Sequence, residues 1–252
     1  MEIGTNVWKG IKAGAGNIGQ VLIKMIYPQT CPVCQRIIPI GEGNICKVCL
    51  QKLKWIKNPR CLKCGKPLEE ARLEYCRDCR RKKHSYDGGR CVFIYNRELR
   101  ESIYRFKYDN KREYAQFYVD AMVAQCQDWI RSKHIDGIIP VPLHEKRLRK
   151  RGFNQAQVLA DGLGKRMNLP VYSQYIVRCR NTVAQKQLNE KERQKNLKKA
   201  FKIVQNDVKL KRILLVDDIY TTGSTVDAIA KELKEHGVSE VYFICLGTSG
   251  MN

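Results

Sequence analysis

No apolar run in this chain of 252 residues approaches the roughly 18 consecutive residues that a membrane-spanning helix needs, so no membrane insertion is expected. The stretch Ala13–Ile23 is uncharged but Gly-rich, with Lys12 and Lys24 at its flanks. It lacks the compact apolar centre and small-residue cleavage site of a secretory signal. The expectation is a soluble, cytoplasmic protein. Acidic residues are scarce, 25 Asp and Glu against 47 Lys and Arg, for a formal net charge of +22. Such a balance points to anionic partners rather than acid-binding ones. Absent too is the pattern G-x-x-x-x-G-K-[ST], so the chain carries no ATP motor of its own.

Cysteine, by contrast, is abundant at 12 residues. A disulfide framework belongs to small secreted chains, and this chain is neither. Eight of the cysteines form four Cys-x-x-Cys pairs: Cys31 and Cys34, Cys46 and Cys49, Cys61 and Cys64, Cys76 and Cys79, each pair 15 residues after the last. Two such turns complete a tetrahedral zinc site. Zinc contributes folding energy directly, which suits a segment poor in large apolar residues. Sequential pairing gives two stacked ribbons and is favoured; an interleaved arrangement (31, 34, 61, 64 with 46, 49, 76, 79) stays open. No set offers three ligands and an open position, so both zinc sites read as structural. Cys91 and Cys245 sit in apolar runs and read as small buried hydrophobes. Cys179 reads as an ordinary loop thiol.

The basic charge is concentrated. Residues 1–90 hold 18 Lys and Arg against 7 Asp and Glu, half of the net excess in a third of the chain. A first dense run is Arg77, Arg80, Arg81, Lys82 and Lys83; a second is Lys146 to Arg151; a third lies at Lys191, Arg193, Lys195, Lys198, Lys199 and Lys202. A basic zinc ribbon with scattered Tyr and Trp is the electrostatic footprint of a nucleic-acid binder. A solvated basic surface is the other reading of the first run. The second and third runs suit a small anionic ligand better.

Organisation changes along the chain. Apolar spacing in residues 1–30 predicts an amphipathic helix ending before Pro28. The ribbons are expected over 31–84. From there to 252 the pattern alternates. Strands are expected at Cys91–Tyr95, Gly137–Val141, Val171–Val177, Ala200–Val204, Ile213–Val216 and Glu240–Leu246. Helices are expected at 97–108, 112–133, 154–168 and 225–236, with 180–199 as a long loop or flap. The fold class is therefore α/β, a parallel sheet with flanking helices.

The most informative segment is Ile213-Leu-Leu-Val-Asp-Asp-Ile-Tyr-Thr-Thr-Gly-Ser-Thr225. Its apolar residues predict a central strand, and Asp217 and Asp218 follow at the carboxyl end, where open α/β sheets bind ligands. The turn of Thr221, Thr222, Gly223, Ser224 and Thr225 then opens a helix, and its N–H groups and hydroxyls make a cradle for a phosphate monoester. Carboxylates beside that cradle accept from sugar hydroxyls or assist a hydrated Mg²⁺. The pattern spells a ribose 5-phosphate site. It resembles the 5-phosphoribosyl-1-pyrophosphate (PRPP) signature of type I phosphoribosyltransferases. A second element, Pro140 to Gln155, also follows a strand and reads as a Pro-containing loop. Its Lys146, Arg147, Arg149 and Arg151 are candidates to neutralise a pyrophosphate leaving group. His144 reads as a hydrogen-bonded loop histidine.

The cysteine pairs, Tyr104-Arg-Phe-Lys-Tyr108, the Pro-Val-Pro-Leu-His and Arg-Gly-Phe-Asn-Gln stretches, the residues between Arg178 and Phe201, and the PRPP signature together resemble the ComF family. The resemblance runs from about Leu22 to Leu246. It implies a double zinc ribbon joined to a phosphoribosyltransferase domain with a flexible hood over 180–199. It also implies a role in natural competence, the handling of single-stranded DNA in the cytoplasm during transformation. The partners implied are the helicase ComFA and other uptake proteins. Asp217 and Asp218 would be the catalytic pair. The alternative is a phosphoribosyltransferase of nucleotide or amine metabolism that uses PRPP, Mg²⁺ and an unidentified acceptor. Turnover itself is left open.

Overall fold

The computed structural model describes residues 28–179, 200–204 and 209–250. The helix expected over 1–30 falls almost wholly outside them, and the 180–199 segment falls outside altogether. The chain divides into two compact units, 1–52 and 53–252. Among the described residues no helix is long and apolar enough to cross a membrane.

The first unit is organised by its cysteines. The backbone N–H of Gln35 donates to the Cys31 carbonyl, closing the first turn. A bridge between Thr30 and Ile37 flanks it. The second pair leads into helix α1 (Lys47–Lys52), with Leu50 N–H donating to the Cys46 carbonyl.

The second unit holds a five-stranded sheet in the order β1-β2-β7-β6-β3. β1 (Lys54–Trp55) runs antiparallel to β2 (Gly88–Ile94). β2, β7 (Glu240–Thr248), β6 (Arg212–Tyr220) and β3 (Gly137–Pro140) are parallel neighbours. β6 is buried at every position from Ile213 to Val216, the continuous apolar run expected of a strand covered on both sides. The third and fourth cysteine pairs belong to this unit. The N–H of Gly65 donates to the Cys61 carbonyl, and helix α2 (Arg77–Arg81) starts after Cys76 and carries Cys79. Gly65 has φ +73°, and a Cβ there would lie 2.7 Å from the Gly89 carbonyl oxygen. The ribbon turn is thus laid directly on β2. Cys61, Cys64 and Leu68 join Tyr86, Cys91, Phe243 and Cys245 in one core cluster.

Helix α3 (Arg97–Tyr108) starts where the Asn96 side chain accepts from Leu99 N–H, a capping contact. It buries Leu99, Ser102, Ile103 and Phe106, one stripe at helical spacing. Helices α4 (Tyr114–Ser132) and α6 (Gln155–Met167) pack on each other and on the sheet, and α7 (Ser224–Glu235) packs on β7.

Three expectations are corrected. Val171–Val177 is not one strand: Val171 only bridges to Ile138, and after a turn β4 (Ile176–Arg178) pairs with β5 (Phe201–Ile203) in a separate ribbon. Part of the basic stretch after β3 is helix α5 (Glu145–Arg151), favoured by Arg149 pairing with Glu145 four residues back. Strand β6 does not stop before the acid pair but runs through it to Tyr220, because β7 continues to pair alongside.

Candidate functional site

The cysteines form two clusters, Cys31, Cys34, Cys46, Cys49 and Cys61, Cys64, Cys76, Cys79, each with all Sγ atoms within 4.8 Å of one another. Sequential pairing is therefore the arrangement present. Sγ atoms of Cys31 and Cys46 are 3.7 Å apart, of Cys34 and Cys46 3.8 Å, and of Cys64 and Cys76 3.6 Å. A zinc ion with four Zn–S bonds of about 2.3 Å needs tetrahedral edges of about 3.8 Å, so the clusters fit the metal. A disulfide needs about 2.05 Å, and all twelve cysteines are free thiols.

The acid pair lies in the carboxyl-terminal half of β6. Asp218 is buried and forms an ion pair with Lys107 of α3. Its backbone N–H donates to Asp217 Oδ1 at 2.8 Å. Burial and the neighbouring Asp218 charge push the Asp217 carboxyl well above the ordinary range. Burial also pushes Asp218 upward, but the Lys107 charge outweighs it and holds that carboxyl below its usual value. Two adjacent carboxyls are thereby set apart, one firmly ionised and one that favours a proton or an incoming cation. That unequal pair suits a Mg²⁺ arriving with its ligand, or a hydroxyl in need of an acceptor.

The turn that follows is tight. Gly223 has φ +76°, and a Cβ there would lie 2.7 Å from the Tyr220 hydroxyl. Thr222 Oγ1 and Ser224 Oγ are 2.8 Å apart, and Ser224 opens α7, a helix of 12 residues. Its first N–H groups have no carbonyl of their own helix to meet. Behind the turn, the Tyr220 hydroxyl meets the Tyr86 hydroxyl at 2.7 Å. The Tyr220 ring stacks on Phe243 at 4.8 Å, and Lys66 Nζ stands 5.8 Å from its centroid. In the first turn of α7, Asp227 takes hydrogen bonds from His84 Nδ1 and the Ser85 backbone N–H.

The four sequence candidates on α5 separate. Arg147 and Arg151 are half-buried, whereas Lys146 and Arg149 are exposed. Arg151 donates to Gln155 and to the Tyr108 hydroxyl, and its charge helps to hold the Asp218 carboxyl down. His144 caps α5 by accepting from Lys146 N–H. Two cations to which the sequence reading gave no role also act electrostatically on the pair. Lys107 is one. The other is Arg178 on β4, whose pKa burial lowers to about 10, with Arg147 adding to that and Asp217 opposing it. Lys107 carried a readable signal: it lies four residues after buried Ile103, so an amphipathic projection places its charge beside the apolar stripe.

Comparison with known proteins adds the family. Residues 22–80 match the model described as "Double zinc ribbon domain" and residues 148–250 match "Phosphoribosyl transferase domain". Competence protein F of Haemophilus influenzae is 32% identical over 221 residues, 84% of this chain and 93% of that protein. This chain belongs to the competence protein F family. Within the same family, DNA utilization protein YhgH of Escherichia coli K12 is 30% identical over 88% of this chain and 98% of its own length. Competence protein ComFC of Bacillus subtilis is 30% identical over 78% of this chain and 80% of its own length. A solved purine phosphoribosyltransferase of Pyrococcus horikoshii overlaps 52% of this chain and 73% of its own at 17% identity and TM-score 0.34, too slight a likeness to carry an argument.

Proposed function

We propose that this family member binds PRPP with Mg²⁺ between β6 and α7, and that it supports the cytoplasmic handling of single-stranded DNA during transformation. One observation carries the first part. An acid pair, half-buried at Asp217 and buried at Asp218, is followed after two residues by a Thr-Thr-Gly-Ser-Thr turn whose glycine is left-handed and whose last residues open a helix. N–H groups of residues 222–225 and the hydroxyls of Thr221, Thr222, Ser224 and Thr225 would hold the 5-phosphate. Asp217 and Asp218 would accept from the ribose hydroxyls. Arg147 and Arg151, with Lys146 and Arg149 nearer solvent, would neutralise the pyrophosphate as it leaves C1. Mg²⁺ bound with PRPP would lie beside Asp217 and Asp218 and would supply further positive charge for that leaving group. Lys107 keeps Asp218 ionised, so that a hydroxyl meets an acceptor rather than a donor.

The second part draws on the competence and DNA-utilization names of the relatives and on the net charge of +22. Single-stranded DNA and the helicase ComFA are the partners proposed. Calorimetric titration of zinc-loaded protein with PRPP and Mg²⁺ tests the site. Binding that Asp217→Asn with Asp218→Asn abolishes supports the reading. Absence of binding by the folded wild type would overturn it and leave the phosphoribosyltransferase fold as a scaffold. Pyrophosphate release with a free base or amine, and no effect of the double variant on transformation, would favour a role in nucleotide or amine metabolism instead.

A further inference from the structure

Helix α3 has two unlike faces. One buries Leu99, Ile103 and Phe106. The other presents Tyr104 and Tyr108, 58% and 53% exposed, with ring centroids 4.9 Å apart. Two large rings in mutual contact at the surface leave π-faces open to a planar partner. The Arg151 guanidinium stands 5.0 Å from the Tyr108 centroid and donates to its hydroxyl at 3.3 Å. Lys107, the residue before Tyr108 on the same helix, forms the ion pair with Asp218. The aromatic stripe therefore begins at the edge of the acid-pair site. Exposed Arg100 lies one helical turn before Tyr104, and exposed Lys150 is the neighbour of Arg151 on α5. Of the acids beside the stripe, Glu101 is paired with Arg97, and Asp109 stands at its end.

We propose that Tyr104, Tyr108 and Arg151 form a stacking platform for consecutive bases of a single-stranded nucleic acid, which leads the strand past the mouth of the acid-pair site. The proposal rests on the DNA half of the reading above and gives it a place. Aromatic rings accept any base on their faces, and neighbouring cations follow the phosphates. A free base is held by an enclosing pocket, whereas this surface is open and offers two rings in succession. The basic run at Arg77–Lys83 is the competing location. There Lys82 is turned inward and pairs with Asp227 at 3.2 Å.

The test is fluorescence anisotropy of the full-length, zinc-loaded chain with a labelled thymidine oligonucleotide and an abasic one of equal length. The wild type is expected to prefer the thymidine strand at least about fivefold, the lower end of what one stacked base contributes. Tyr104→Leu with Tyr108→Leu is expected to remove that preference, and Tyr104→Phe with Tyr108→Phe to keep it. Both rings are exposed, so unchanged thermal melting serves as the folding control. Equal binding of the abasic strand, or full affinity in the leucine variant, overturns the platform. If neutralising Arg80, Arg81 and Lys83 alone abolishes binding, the strand belongs to the ribbon. If the leucine variant changes pyrophosphate release with free bases but not DNA affinity, the rings belong to an acceptor site. No DNA binding by the wild type would overturn the DNA reading and the platform together, while PRPP binding would still stand or fall by its own titration.

Discussion

His84 Nδ1 and Asp227 Oδ2 lie 2.7 Å apart, joining the chain that leaves the fourth cysteine pair to the first turn of α7 across 143 residues of sequence. A carboxylate only accepts, so the Nδ1 atom carries the proton in this contact. Burial pushes the Asp227 carboxyl upward, but His84, the Ser85 N–H and the Lys82 charge outweigh it and hold it below its usual range. A depressed carboxyl contributes stability that is present above its unfolded pKa and lost as pH falls through the folded one. Urea unfolding should therefore show stability falling on the acid side of about pH 4, and Asp227→Asn should flatten part of that fall. His84→Ala should cost about 1 kcal/mol at neutral pH, since it leaves the half-buried Asp227 without that donor.

Lys107→Met should affect the ligand more than the fold. Without the ammonium, only the smaller pull of Arg151 and of the Asp217 hydrogen bond opposes the burial that raises the Asp218 carboxyl, and the acid pair is neutral over more of the pH range. Binding of PRPP with Mg²⁺ should weaken at least about tenfold below neutrality, which is about 1.4 kcal/mol, and recover as pH rises and the carboxyl ionises again. Lys107→Arg should retain part of the affinity. Titration calorimetry on either side of neutrality reads the difference. A loss equal at all pH values would show that the lysine acts on the ligand and not through Asp218.

Gly223→Ala should damage both binding and stability. The left-handed backbone costs a side-chain-bearing residue about 1–2 kcal/mol, and the added carbon would fall 2.7 Å from the Tyr220 hydroxyl. Moving that ring disturbs its hydrogen bond with Tyr86. Thermal melting should drop, and phosphate-ligand affinity should fall by at least an order of magnitude.

Zinc removal should unfold more than a ribbon. Two cysteine clusters predict two zinc ions released per chain when the thiols are titrated with a mercurial. Cys61 and Cys64 are fully buried in the core that also holds Phe243 and Tyr220. A strong chelator, or Cys61→Ser with Cys64→Ser, should therefore abolish PRPP binding along with the cooperative melt of the second unit. Near-ultraviolet circular dichroism reports the loss of the packed tyrosines.

Much of this was legible because the signals are local. Helix α3 matches its expected span at both ends, since Asn96 caps it and its apolar residues keep helical spacing. The cysteine spacing announced tetrahedral clusters, and four apolar residues before two aspartates announced a central strand. What escaped depends on partners distant in sequence. Val171–Val177 reads as one strand by composition, yet Ile176–Arg178 pairs with Phe201–Ile203 beyond a long intervening segment. β6 reads as ending at Val216, because nothing local says that β7 will pair with it up to Tyr220. The basic stretch after β3 was read for charge, which concealed that Glu145 and Arg149 make it helical. Lys107 stands 111 positions before Asp218, and only the folded sheet brings the two together.

The strand order has a consequence for synthesis. β2 ends at Ile94, but its parallel partner β7 begins at Glu240. At about 5–20 residues per second, a ribosome needs roughly seven to thirty seconds to make the stretch between them. Over that interval β2 has no partner on its inner edge, and the cysteine clusters are already translated. Metal can load first, and the loaded ribbon then waits beside an open edge for the last strand. The nascent chain is thus exposed to edge-to-edge aggregation until β7 is made, and a chain cut short of β7 would leave that edge open permanently.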